Sequence, residues 1–121
     1  VCEERGSGFD KIVHATEVYQ LPAPEIMVYE NMTRLTLFSP RTFSKMSKAD
    51  RLRACYLHAC LRRVQREYMT NASLRERFAV PSRNSAMISR LLSESCEEGL
   101  VKLVDEAETA ARSRRYIPYW A

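Results

Sequence analysis

Residues 48–69 contain neither glycine nor proline, and this uninterrupted stretch constrains the fold more than any other feature of the sequence. Four large apolar residues within it recur at steps of four, three and four, which places them on one face of an α-helix: Leu57, Leu61, Val64 and Tyr68. The spacing predicts a long helix with this face buried, and with Arg62 and Arg66 solvated on the opposite side.

A short helix is predicted directly after it. Thr70 and Asn71 are residue types that favour a helix N-terminus, because their side chains accept hydrogen bonds from free backbone amides. Leu74 and Phe78 follow at a spacing of one helical turn, so both are expected to face the core. Pro81 ends this element, since proline disfavours helix in the residue before it, and a sharp turn should follow.

A third helix is predicted over residues 84–98, because Gly99 is the residue type that most often follows a helix C-terminus. Its inner face is expected to consist of Ile88, Leu92 and Ser95, flanked by Leu91 and Cys96. Two strands, 100–104 and 116–120, then enclose a polar loop that we interpret as basic. Pro118 restricts the last strand to a sheet edge.

This order of elements is that of a winged helix-turn-helix, and the fold class predicted for the chain is α+β. In that motif the longer helix enters the major groove of DNA, where base edges are read, and the hairpin crosses the phosphate backbone. The outer face of residues 84–98 carries small and polar residues with arginines, which suit a groove. The candidate DNA-binding residues are Ser73, Arg75, Arg83, Asn84, Ser85, Ala86, Arg90, Arg112, Arg114 and Arg115.

The first forty residues predict a different unit, a helix followed by a β-hairpin. Apolar residues recur at helical spacing over 9–19, and the runs 26–29 and 32–38 are rich in residues that favour strands. We expect three parts in the chain: a helix-plus-hairpin piece over 1–40, a linker over 41–47, and the winged helix-turn-helix over 48–121.

Charge is divided unevenly between the two halves of the chain. Residues 1–47 hold 5 Lys and Arg against 6 Asp and Glu, whereas residues 48–121 hold 14 against 9. The basic half indicates a polyanionic partner. A hydrophobic content of 45% with 28% charged residues excludes a disordered chain, and no apolar run is long enough to span a bilayer. Four scattered cysteines without an export signal are interpreted as reduced thiols, which favours a cytoplasmic location.

Six stretches carry a more specific signal: 5–12, 21–25, 70–78, 84–92, 98–102 and 115–121. Together they resemble, in the same order, the C-terminal part of a bacterial family of transcriptional regulators that are also named RecG-related ATP-dependent DNA helicases. The resemblance implies a longer protein with an AlbA-like, Schlafen-type domain upstream, then an ATPase-like region, then a winged helix that binds double-stranded DNA. The chain itself contains no Walker motif of the G-x-x-x-x-G-K-[ST] form.

Gly6, Ser7 and Gly8 precede a helix and a hairpin, an arrangement that also resembles the last glycine box of the histidine-kinase-type (GHKL) ATP-binding fold. Glycines at a helix N-terminus let backbone amides approach phosphate. The asparagine and aspartate that such a site requires would lie upstream. We therefore interpret the glycines as a structural turn, keep these residues only as candidate nucleotide contacts, and expect no cofactor in this chain, with ATP confined to the full-length protein.

Other functions are less well supported by the residues. Cys55, His58 and Cys60 lie close together in sequence but lack the second pair of ligands that zinc sites use, so no metal is expected. No Gly-x-Ser-x-Gly motif occurs, so no catalysis is expected. The alternative to DNA binding is a winged helix that serves protein interaction or oligomerisation. A homodimer is expected by analogy with bacterial regulators, with the helix over 48–69 as its candidate interface.

Overall fold

The computed structural model describes residues 7–108, 110 and 113–121, and its fold is organised around a central helix, α2 (Lys48–Val64). Four elements contact this helix: α1 (Ser7–Val18), α3 (Asn71–Phe78), α4 (Ser85–Glu97) and β4 (Tyr116–Pro118). With two small antiparallel sheets beside the helices, the fold class is α+β, as the sequence predicts.

The predicted inner face of α2 is wrong. The buried residues are Ala54, Cys55, His58 and Ala59, whereas Val64 is 69% exposed. Small side chains line the contact because four neighbouring elements approach α2 closely. Tyr68 lies outside the helix, which ends at Val64 rather than at residue 69, because Arg66 adopts a positive φ of 62°. Arg62, expected to be solvated, is half-buried and donates through Nε to the Tyr68 carbonyl at 3.0 Å.

The short helix α3 begins and ends as its sequence predicts. The Thr70 hydroxyl accepts a hydrogen bond from the Ser73 amide, and the Ser73 hydroxyl accepts one from the Thr70 amide, which together form a capping box. The helix ends at Phe78, because the next residue, Ala79, takes the left-handed conformation with φ 57° and begins the predicted break over 79–82. Leu74 and Phe78 are both buried, which confirms their predicted place in the core.

The longer helix α4 follows a single 3₁₀ turn over Ser82–Asn84 and packs across α3. Its predicted inner face is confirmed, since Ile88, Leu92 and Ser95 are almost inaccessible to solvent. Gly99 follows it with φ +75°. The amides of Gly99 and Leu100 donate to the carbonyls of Cys96 and Ser95, both at 3.0 Å, which completes a Schellman motif. Gly99 is required here by its backbone conformation alone, because an added Cβ would meet nothing within 4 Å.

The second sheet joins the end of the chain to the segment between α2 and α3. Strands β3 (Val101–Leu103) and β4 (Tyr116–Pro118) are antiparallel, with Leu103 opposite Tyr116. On its other side Tyr116 exchanges both backbone hydrogen bonds with Met69, at 2.8 and 3.1 Å. The nitrogen of Pro118, two residues further on, faces the same side as that of Tyr116 and therefore away from β3, so the missing N–H breaks no hydrogen bond between β3 and β4.

The predicted β-hairpin near the start of the chain is confirmed as two short antiparallel strands, β1 (Glu25–Val28) and β2 (Thr33–Thr36). The register pairs Ile26 with Leu35 and Val28 with Thr33, so these side chains share one face. It carries four exposed aliphatic side chains: Ile26, Val28, Leu35 and Leu37. We call these four residues the apolar hairpin face.

Residues 41–47, predicted as a linker, contribute two side chains to the core. Phe43 and Met46 are both 6% exposed, and Phe43 packs on Phe78 with ring centroids 4.8 Å apart. Arg51 fixes this segment against α2, because its Nε and Nη2 both donate to the Phe43 carbonyl. Among the helices that the structure describes, none combines the length and apolar character needed to cross a membrane.

Candidate nucleic-acid interface

The outer face of α4 is accessible and carries cations without partners. Arg83, Ala86 and Arg90 are exposed, and Asn84 and Ser85 are half-buried at the start of the helix. No ion pair or side-chain hydrogen bond among the described residues involves Arg83 or Arg90. Their guanidinium groups are therefore available to an external partner. Asn84 makes no capping bond to α4, so its amide is also uncommitted.

Charge changes sign along α4. Arg83 directly precedes the helix and Arg90 lies in its second turn, whereas Glu94 and Glu97 occupy the last turns and Glu98 follows the helix. A polyanion is attracted to the first part and repelled by the second. The arrangement therefore favours contact through the first two turns, with the C-terminal end of the helix directed away from the polyanion.

Asn71, which sequence analysis treated only as a residue near the cap of α3, fixes α3 against α4. It is buried, and its Nδ2 donates to the Ser85 carbonyl at 3.0 Å and to the Ser89 hydroxyl at 2.9 Å. Its Oδ1 accepts a hydrogen bond from Arg75 Nε at 2.8 Å, which orients that candidate arginine. The only sequence signal for this positioning role is an asparagine directly after a capping threonine. The hydrogen-bond partners could not be predicted, because they lie 14 and 18 positions further along the chain.

Replacing Asn71 by alanine should lower the free energy of unfolding by about 1–3 kcal/mol, because the change removes two hydrogen bonds that a buried side chain of α3 makes to α4. Urea unfolding followed by circular dichroism measures the loss. Asn31→Ala, on the exposed turn of the first hairpin, is the control and should change stability by less than about 0.5 kcal/mol. Equal values for the two variants would contradict the positioning role of Asn71.

The loop between β3 and β4 is not basic overall, which corrects the sequence interpretation. Three acidic residues, Asp105, Glu106 and Glu108, balance its three arginines. Arg114 Nε donates to the Glu108 carbonyl at 3.2 Å, and the Arg115 guanidinium lies over the Tyr68 ring, 4.9 Å from its centroid. Both arginines thus contact their own chain, and Arg112 lies outside the described residues. The first helical turns of α4 are consequently the stronger candidate surface.

The two remaining groups of candidate residues lie elsewhere. Ser73 is turned away from the α4 surface, because its hydroxyl belongs to the capping box and lies 3.0 Å from His58 Nε2. Gly6 is outside the described residues. Helix α1 already begins at Ser7, which places Gly8 inside its first turn rather than in a loop before it.

A buried ionic cluster that the sequence did not predict joins α1 to α2 and α3. Arg77 Nε donates to Glu17 Oε2, and His58 Nδ1 lies 2.5 Å from Glu17 Oε1. The three side chains are 2–10% exposed. His58 thus lies between Ser73 and Glu17 and contacts both. The Ser73 hydroxyl also donates to the Thr70 carbonyl at 3.1 Å, so we assign it a role in capping α3.

The cysteines near α2 have the environment of core thiols. Burial raises the pKa of Cys55 to about 12, although the Ser95 hydroxyl donates to its sulfur at 3.3 Å and opposes the shift. Burial also raises the pKa of Cys60 and of Cys96. These thiols stay protonated at neutral pH. Among the described residues, no three His, Cys, Asp or Glu side chains come together in a way that could hold a metal ion.

Comparison of the chain with protein-family models, with curated proteins and with solved structures gave no match.

Proposed function

We propose that this chain binds double-stranded DNA as part of a bacterial transcriptional regulator in the cytoplasm, with α3 and α4 as the helix-turn-helix and α4 as the reading helix. The single observation that carries the proposal is the surface at the start of α4, where Arg83 and Arg90 are exposed beside small polar residues and make no ion pair or side-chain hydrogen bond with the described part of the chain. A helix of this kind, braced by a shorter one, fits the major groove, where guanidinium groups pair with guanine edges.

The order of elements supports a winged helix as the framework of this function. Helices α2, α3 and α4 come first, and the β3–β4 hairpin follows α4 directly. The Met69–Tyr116 bridge holds that hairpin to the segment between α2 and α3. Arg114 and Arg115 lie on the returning side of the proposed wing, and Asp105 and Glu106 lie on its outgoing side.

A homodimer on a pseudo-palindromic site is part of the proposal, because two-fold symmetry matches paired half-sites. The candidate interface suggested by the sequence is the helix over 48–69. Four elements pack on the inner face of α2, so the dimer would use its exposed side, where Val64 is 69% exposed.

Fluorescence anisotropy with a labelled random duplex tests the proposal. Affinity should fall steeply between 50 and 200 mM salt, with a slope of log affinity against log salt of about 0.9 per phosphate neutralised. Absence of binding at 50 mM salt would refute the proposal.

Arg90→Ala should then reduce discrimination between a selected site and a single-base mismatch by about 1–3 kcal/mol, because a bidentate contact to guanine is lost. Binding-site selection from a random duplex library supplies the site, and anisotropy measures both affinities. Arg34→Ala, on the first hairpin, removes the same charge from an exposed position and is the matched control. An equal effect of the two substitutions would show that Arg90 contributes only net charge.

The apolar hairpin face favours a second candidate function, protein association through a winged helix that does not bind DNA. Four exposed aliphatic side chains on one sheet face are typical of an interaction surface. The salt titration separates the two candidates, because association through this uncharged face requires no DNA and should weaken little as salt rises.

A further inference from the structure

A shallow depression lies beside the reading helix, where the first turn of α2 meets the middle of α4. Its volume is about 430 Å³, and three cations line it: Lys48, Arg51 and Arg90. Glu94 is the only acidic residue among its walls. Positive charge therefore exceeds negative charge in this depression by two, next to the surface that we propose for base reading.

Arg51 forms a fixed wall of the depression. Its Nε and Nη2 donate to the Phe43 carbonyl at 3.0 and 2.7 Å, and its guanidinium carbon lies 4.0 Å from the centroid of the Phe43 ring. Because this side chain is already held in place, it supplies positive charge without the entropic cost of ordering a free arginine.

Lys48 supplies a mobile donor beside that wall, and Arg90, whose guanidinium we assign to a base edge, adds positive charge to the same depression. Lys48 is the first residue of α2 and is exposed, so the positive end of the helix dipole adds to its own charge. Neither side chain has an ion pair or hydrogen bond within the part of the chain that the structure describes. Glu94, one turn after Arg90 on α4, also lines the depression and opposes part of the attraction that the three cations exert on an anion.

We infer that this depression binds one backbone phosphate of the DNA, with Lys48 as the principal donor, and so fixes how far α4 enters the groove. The inference rests on the proposed function. It adds a phosphate contact from α2 to the base-reading surface of α4. Contacts of this kind set the register of a protein on the duplex and carry no sequence information of their own.

Lys48→Gln tests the inference through the salt dependence of DNA binding. The slope of log affinity against log salt should become shallower by about 0.9, and affinity at 0.1 M salt should fall by about eightfold, equally for selected and mismatched sites. Lys48→Arg should restore most of the slope, because it keeps the charge. Lys11→Gln, which removes an exposed lysine of α1, is the matched control and should leave the slope unchanged.

The slope separates a phosphate contact from a structural effect, because a folding defect lowers affinity without changing the number of counterions released. Binding by the parent protein with an unchanged slope in Lys48→Gln would overturn this inference and leave the proposed function intact. An equal loss of slope in Lys11→Gln would also overturn it, since the effect would then come from net charge. Absence of binding by the parent protein would overturn both proposals.

Discussion

Glu17→Ala should lower the free energy of unfolding by about 3–5 kcal/mol, because breaking this ion pair leaves the charge of a buried arginine uncompensated. The Arg77 side chain is only 2% exposed, and it would keep a single acceptor, the Leu21 carbonyl at 2.5 Å. His58 would lose its carboxylate partner at the same time. Urea unfolding measures the change in stability.

Glu25→Ala is the matched control for this substitution. The Glu25 carboxylate is 39% exposed and lies 3.9 Å from Arg53, so its removal should cost less than about 1 kcal/mol. A loss in Glu17→Ala as small as that of the control would show that the buried cluster contributes little to stability. Hydrogen exchange then locates the effect, since we expect the largest loss of protection where α1 contacts α2 and α3.

Leu92→Ala should lower the free energy of unfolding by about 2–5 kcal/mol, because it removes a fully buried side chain and leaves a cavity between α4 and its neighbours. Leu37→Ala makes the same chemical change on the apolar hairpin face, where the side chain is 60% exposed, and should cost less than about 0.5 kcal/mol. Denaturant unfolding of both variants checks the values. Similar losses would contradict the assignment of Leu92 to the core.

Local sequence signals predicted α3 and α4 well. Thr70 and Gly99 fix helix ends through hydrogen bonds within their own turns, and these bonds depend on few other residues. The inner face of α4 followed equally from spacing, because Ile88 and Leu92 pack on elements that leave its opposite side in solvent. Helix ends and buried faces that depend on neighbouring residues could therefore be predicted from the sequence alone.

The face of α2 could not be predicted by the same reasoning. Large apolar residues are the usual marker of a buried stripe, but close approach of several elements selects Ala54, Cys55 and Ala59 instead. The Glu17 cluster was equally inaccessible to sequence reasoning, because its members lie 41 and 60 positions apart and no spacing rule connects them. For the candidate surface, Arg83 and Arg90 were named from the sequence. The phosphate contact that we propose for Lys48 could be inferred only from the structure, which shows that this residue lies beside α4.

The exchange of hydrogen bonds between Met69 and Tyr116 has a consequence for the order of folding. The helices can pack soon after synthesis because they are close in sequence. The contact between Met69 and Tyr116 instead closes a long loop of intervening chain, and the entropic cost of closing this loop precedes the stabilisation that the contact provides. We therefore expect the hairpin to be the last element to gain protection in pulsed hydrogen-exchange refolding. Until it docks, the backbone of Met69 is an open strand edge, the type of surface through which nascent chains aggregate.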